Sequence, residues 1–231
     1  MFLKILVLST LISLTNLNSA ESSCQPINNK YIRSINHEEG IYVVKAVKGN
    51  SKFNRAWQRT EICKWFSAIE ETANLIPEHF ITVIEPVSFD FVINNTEWFT
   101  ALAGSPILIN LKPGLKPDWM TWESFVNKGF SREEMIYVVL HEMAHLFSFK
   151  QGSNTFFNES QTTLYGQKMG GEEDFAESVA IYVMWTEYLK QNFTIHYEII
   201  KTIFGKEFTP YRCMPRSIKT KLTKPFKAKV C

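Results

Sequence analysis

An α+β fold is what this chain of 231 residues predicts. Three observations carry it. Short runs rich in β-branched and aromatic residues cluster before residue 112. One long run with helical spacing, residues 53–76, lies among them. From residue 131 onward apolar residues recur at helical spacing over stretches too long for strands. A small mixed sheet with helices packed on it satisfies all three.

Taken in order, the chain opens with "MFLKILVLSTLISLTNLNSA", a lysine at position 4, an apolar stretch Ile5 to Leu14 and small residues Ser19 and Ala20. That is the layout of a secretory signal peptide, residues 1–20. Residues 21–231 then suit one domain, with a lobe at 21–118 carrying a helix and edge strands and a helical lobe at 119–231 ending in a basic tail. Export is expected, to the outside of a cell or to the periplasm of a bacterium. Removing Lys4 from 25 basic side chains leaves 24 against 23 acidic ones, a balance that implies no nucleic-acid partner. No later stretch is long and apolar enough for stable membrane insertion.

Residues 21–40 read as an irregular arm. "IYVVKAV" (41–47) alternates and is β-branched, so it reads as a strand. Residues 53–76 place Phe53, Trp57, Ile62, Trp65, Phe66, Ile69, Ala73 and Ile76 on one helical face, and Pro77 stops the helix. "FITVIEPV" (80–87), "FDFVIN" (89–94) and "SPILINL" (105–111) read as β-type runs, and a short helix is expected at 119–128. Ser131 with Glu134 three positions later forms a capping box that opens a helix running to about Phe149. "GG" (170–171) precedes another helix with an acidic first turn, and a last one covers 195–204. From Arg212 to Cys231 seven basic residues and no acidic one predict a solvated surface tail tied down by a disulfide.

The four cysteines are Cys24, Cys63, Cys213 and Cys231, with no C-x-x-C spacing. In an exported chain an even count predicts two disulfides. Of the three possible pairings, Cys24 with Cys63 and Cys213 with Cys231 is favoured, pinning the arm and closing a C-terminal loop. Sequons stand at Asn94, Asn158 and Asn192 and would be used only in a eukaryotic secretory path.

Chemistry concentrates in "VVLHEMAHLF" (138–147). His141 and His145 are four apart and share a helix face, so two imidazoles can point at one ion. Glu142 lies about 100° round the helix, where it can reach water at the ion without ligating it. This is the physical content of H-E-x-x-H: two zinc ligands and a general base. An eleven-residue extension would need a glycine at 148 and a histidine at 151. The sequence has Ser148 and Gln151, which excludes that type. His196, alone in "TIHYEII", reads as an ordinary helix histidine. The third ligand is sought in "GGEEDFAES" (170–178). Glu173 and Glu177 are i and i+4. On a face packing aromatics, two carboxylates need cations. Glu173 would ligate the metal and Glu177 would accept the spare N–H of His141. A favourable helix start explains Glu172 to Asp174 equally well, but not Glu177.

H-E-x-x-H followed by E-x-x-x-E resembles the gluzincin zinc peptidases, of which thermolysin is the familiar member. "TLYG…EDFAES" looks more like the catalytic domain of anthrax lethal factor and its relatives, and the resemblance covers about residues 131–190. It implies a zincin-like metallopeptidase fold, one zinc per chain, Glu173 as ligand, Glu177 behind a histidine, and Tyr165 hydrogen-bonding the reacting oxygen. The expected reaction is peptide-bond hydrolysis by zinc-activated water with Glu142 as base, on a protein or peptide substrate. "SPILINL" is either the edge strand for that substrate or a plain core strand. The alternative is a secreted zincin-fold binding protein without turnover.

Overall fold

A computed structural model of the protein describes residues 32–36, 41–46, 56–84, 87–92, 101–104, 107–110, 130–151 and 160–231. The leader, Cys24, the expected 119–128 helix, Asn94 and Asn158 lie outside the described residues. Within them the fold is α+β. The strands are β1 (Ile32–Asn36), β2 (Ile41–Ala46), β3 (Val87–Val92), β4 (Ala101–Leu102) and β5 (Ile107–Asn110). They form one mixed sheet in the order β1-β2-β3-β5-β4. The outer pairs are antiparallel and the inner pairs, β2 with β3 and β3 with β5, are parallel. Phe89 pairs with Ile107 and Phe91 with Ile109. All four are buried while Ser88 and Leu108 are only partly so, the period-two pattern of a sheet with one face on the core.

Two readings of this half need correction, and one open alternative is decided. The arm is not wholly irregular, because β1 pairs with β2 inside it. "FITVIEPV" is mostly helix: α2 is Glu78–Ile84, following α1, Ala56–Leu75. Phe80, Ile81 and Ile84 are buried at helical spacing, and the N–H groups of Phe80 and Ile81 close onto Pro77 O at 3.0 and 3.3 Å. Tertiary burial overrides β-branched composition there. Finally, "SPILINL" holds β5, an interior strand flanked by β3 and β4, so the edge on that side is Ala101–Leu102.

The helical half begins at α3, Arg132–Gln151. The capping box forms as expected: Ser131 N donates to Glu134 Oε2 at 2.7 Å and Glu134 N to Ser131 Oγ at 3.3 Å. Every residue from Glu134 to Ser148 is buried, so α3 is a central helix rather than an amphipathic surface one. α4 (Leu164–Met169), α5 (Gly171–Asn192), α6 (Thr194–Phe204) and α7 (Arg216–Lys219) follow. α3 packs chiefly on α5, and also on α1 and α2. Phe80 of α2 stacks between Phe147 of α3 and Phe204 of α6, at centroid distances of 4.7 and 4.8 Å.

The tail departs from the solvated strap expected of it. Cys213 and Cys231 are bonded, as predicted, but Met214, Ile218 and Lys221 are buried. Tyr211 N donates to Met184 O at 2.9 Å and the Trp185 indole to Cys213 O at 3.0 Å. α5 kinks at Trp185, where the tail has taken the carbonyl of the preceding residue. Seven charges misled the reading because α7 and the loop after it turn apolar side chains inward. Cys63 is also disulfide-bonded. No helix of the described residues is long and apolar enough to cross a membrane, and the disulfides fit an oxidising compartment.

Candidate metal centre

α3 delivers His141 and His145 to one point, and the first turn of α5 brings Glu173 to the same point. His141 Nε2 lies 3.0 Å from Glu173 Oε2, His145 Nε2 lies 3.2 Å from it, and the two Nε2 atoms are 3.1 Å apart. Tetrahedral zinc with bonds near 2.0–2.1 Å spaces its ligands about 3.3 Å apart. The triangle is therefore slightly contracted from a coordination face. Two imidazole nitrogens and a carboxylate oxygen turned on one another make the donor set of a shared cation, and without one Glu173 Oε2 accepts from protonated ring nitrogens. His141, His145 and Glu173 could hold a metal ion. A second group, Glu133 with Cys213 and Cys231, offers no thiolate because both sulfurs are in the disulfide.

The electrostatics agree with the geometry. Burial alone would lower the His141 pKa, but the Glu173 and Glu177 carboxylates outweigh it and hold it at about 10. Burial would raise Glu173, yet bonds to both histidines keep it well below the usual carboxylate range. With no ion, the cluster answers its negative charge by keeping a proton on His141. A bound dication would replace that proton.

Behind the triangle, His141 Nδ1 lies 3.2 Å from Glu177 Oε1. Glu177 is only 2 % exposed. Its own acidity is raised, against its burial, by His141 and then by the Lys221 charge. Tyr137, fully buried, faces the same carboxylate, and burial followed by Glu177 pushes its hydroxyl well up. His145 Nδ1 and His141 Nδ1 are both buried without an aligned hydrogen bond among the described residues, so the approach of Glu177 to His141 Nδ1 is a charge contact.

Glu142 is buried beside both histidines. Burial raises its pKa, their charges pull it back, and the backbone N–H of Ala103 donates to it. Ala103 directly follows the edge strand β4, so the sheet edge and the candidate base touch. Tyr165 lies in α4, its ring 6.2 Å from that of His141. Burial, then Glu173, pushes its hydroxyl up, so it stays a proton-bearing donor at neutral pH.

Asp174 is what brings Tyr165 there, and the sequence reading missed it. Its acidic neighbours suggested a solvated helix start, yet its side chain is fully buried. Oδ1 accepts from Thr162 N at 2.7 Å and Thr162 Oγ1 at 2.8 Å, and Oδ2 contacts His196 Nε2 at 2.9 Å. His196 is thus the partner of Asp174 and stands apart from the triangle. Gly166 allows the approach: a Cβ there would meet Asp174 Cα at 2.8 Å. Thr163 caps α4, and Gly170, at φ +109°, turns the chain directly into α5.

Searches of known protein families and of curated proteins return no match to this chain.

Proposed function

We propose that the protein is a secreted zinc-dependent endopeptidase with a zincin-like fold. The observation that carries this reading is the buried His141–His145–Glu173 triangle with Glu142 at its flank, bonded to the backbone that follows an edge strand. A pure metal-storage or structural site has no use for a further buried carboxylate that is not a donor to the ion.

Zinc in the triangle supplies Lewis acidity, lowering the pKa of water and polarising a carbonyl oxygen. The residues of the chain do the rest. An extended peptide adds to the β4 edge by backbone hydrogen bonds, which brings its carbonyl over the triangle. Glu142 takes a proton from the attacking water as oxygen bonds to the carbonyl carbon. It passes that proton to the leaving nitrogen as the C–N bond breaks, and the second water proton follows from the new carboxyl group, leaving a carboxylate and an ammonium. Ala103 N–H keeps the Glu142 carboxylate aimed. Tyr165 O–H donates to the oxyanion. Glu177 fixes the His141 ring.

Glu142→Gln tests this on a mixed peptide library, with zinc measured on each sample. Cleavage should fall about 10²–10⁴-fold or more at unchanged zinc content. Equal cleavage by the variant would overturn the mechanism. Zinc in both proteins with cleavage by neither would favour the secreted binding protein without turnover.

A further inference from the structure

Outside the triangle, the buried polar side chains of Asp174, Thr162, Ser178 and His196 close on one another, none more than 1 % exposed. Asp174 Oδ1 accepts from Thr162 N at 2.7 Å and from Thr162 Oγ1 at 2.8 Å, and Thr162 Oγ1 meets Ser178 Oγ at 3.0 Å. Asp174 Oδ2 stands 2.9 Å from His196 Nε2. A carboxylate only accepts, so His196 Nε2 carries the proton of that bond. His196 comes from α6, with its ring edge-on to Phe193 at 5.5 Å.

The cluster reaches Tyr165 by short steps. Asp174 N donates to Gly170 O at 3.0 Å, so the aspartate is fixed in the opening turn of α5. Its Oδ1 then fixes Thr162 relative to that helix. The next residue, Thr163, opens α4: Gly166 N donates to Thr163 Oγ1 at 3.0 Å and Gln167 N to Thr163 O at 2.9 Å. Tyr165 lies in that first turn, its ring 6.2 Å from that of His141. Gly166 presses on the same aspartate, where a Cβ would meet Asp174 Oδ1 at 3.0 Å. The plane of the carboxyl group is set by its other oxygen, and His196 holds that one.

We propose that His196 is a positioning residue for Tyr165. Its Nε2–H fixes the Asp174 carboxylate, which sets Thr162 and with it the helix start that aims the Tyr165 hydroxyl at the reacting oxygen. This rests on the endopeptidase reading of the site. Without the Nε2–H, Asp174 Oδ2 is a buried acceptor that has lost this donor, and the carboxylate turns in search of another, drawing Thr162 with it. A displacement of about 1 Å at a reacting group costs about 10²-fold in rate. Glu173 neighbours Asp174 in sequence, but the backbone of α5 places it, so the ligand triangle stays where it is.

The test uses the full chain and a peptide substrate found by library screening, and measures kcat, KM, zinc affinity and melting temperature together. His196→Leu should lower kcat about 10²-fold at unchanged KM and zinc affinity. His196→Gln, whose amide can place an N–H where Nε2 stood, should regain about tenfold of that loss. The His196→Leu/Tyr165→Phe double variant should be no slower than Tyr165→Phe alone, because the two residues act as one unit. A purely structural role gives a lower melting temperature with wild-type kcat per folded molecule, and that result overturns the proposal. So do additive losses in the double variant, no recovery in His196→Gln, a zinc affinity that falls together with kcat, or a Tyr165→Phe variant as fast as wild type. If His196→Leu does not fold, His196→Asn, whose shorter amide stops short of Asp174 Oδ2, replaces it under the same criteria. A wild type that binds zinc and cleaves no peptide overturns the endopeptidase reading itself.

Discussion

His141 presents Nδ1 to Glu177 Oε1 at 3.2 Å while its Nε2 stands 3.0 Å from Glu173 Oε2. The two carboxylates lie one turn apart on α5, so one helix sets a carboxylate beside each nitrogen of one ring. An ion on Nε2 would leave the ring proton on Nδ1, toward Glu177.

Metal stoichiometry follows directly. Elemental analysis should find one zinc per chain, and His141→Ala should lose it. Chelation should lower thermal stability, because free zinc at about 1,000 times its dissociation constant contributes about 4 kcal/mol to the folded state. Wild-type zinc content in His141→Ala, or an unchanged melting temperature after chelation, would contradict this assignment.

The metal-free protein should show a specific pH dependence. His141 is raised from 6.5 to about 10 in the folded chain. Its contribution is complete below the unfolded value of 6.5 and is lost as pH rises toward 10, since the native state then binds more protons than the unfolded one. Glu142, also raised, acts in the same direction. Lys221, lowered to about 8, acts oppositely above that pH. The clean window is therefore between about pH 6.5 and 8. Urea unfolding of chelated protein should show stability falling across it. A flat or rising profile would mean that His141 carries no proton there.

The candidate metal centre was legible because the spacing of its side chains is local. His141, Glu142 and His145 lie within two turns of one helix, and Glu173 and Glu177 repeat the same i, i+4 geometry on another. Ala103 was not legible, since a backbone N–H leaves no mark in side-chain identity. Asp174 was hidden among acids that a helix start explains, and only its contact with Thr162 and His196 gives it a role. The burial of Lys221 was hidden by the six other basic residues around it. The α2 error has the same origin as the tail error. Composition reports what a segment prefers alone, whereas Phe80 is helical because Phe147 and Phe204 stack on either side of it.

The disulfide can be tested apart from the metal. Cys213 and Cys231 are 18 positions apart, and closing a loop of that size stabilises a fold by about 3 kcal/mol through the unfolded chain. The Cys213→Ser/Cys231→Ser variant should lose about that much in urea unfolding. A loss below about 1 kcal/mol would show that Met214 and Ile218 hold the tail by packing alone.

Tyr165 gives the sharpest test of how the site treats a reacting oxygen. Its ring packs beside His141, so a change that alters the ring would disturb the ligand as well. Tyr165→Phe keeps the ring and removes only the hydroxyl. That hydroxyl stays protonated at neutral pH, because burial and the Glu173 charge disfavour its anion. It can therefore donate to an oxyanion but cannot serve as a base. Donation that matters only when charge develops lowers kcat and leaves KM nearly unchanged. Removing one such donor costs about 10²–10³-fold in kcat. Zinc affinity should remain at the wild-type value, since no ligand or ligand partner is touched. Steady-state cleavage of a peptide found by library screening, with zinc affinity measured alongside, separates the outcomes. A fall in kcat at constant zinc affinity supports the donor role. A rise in KM alone would make Tyr165 a binding group for the ground state, and loss of zinc would make it a support for His141.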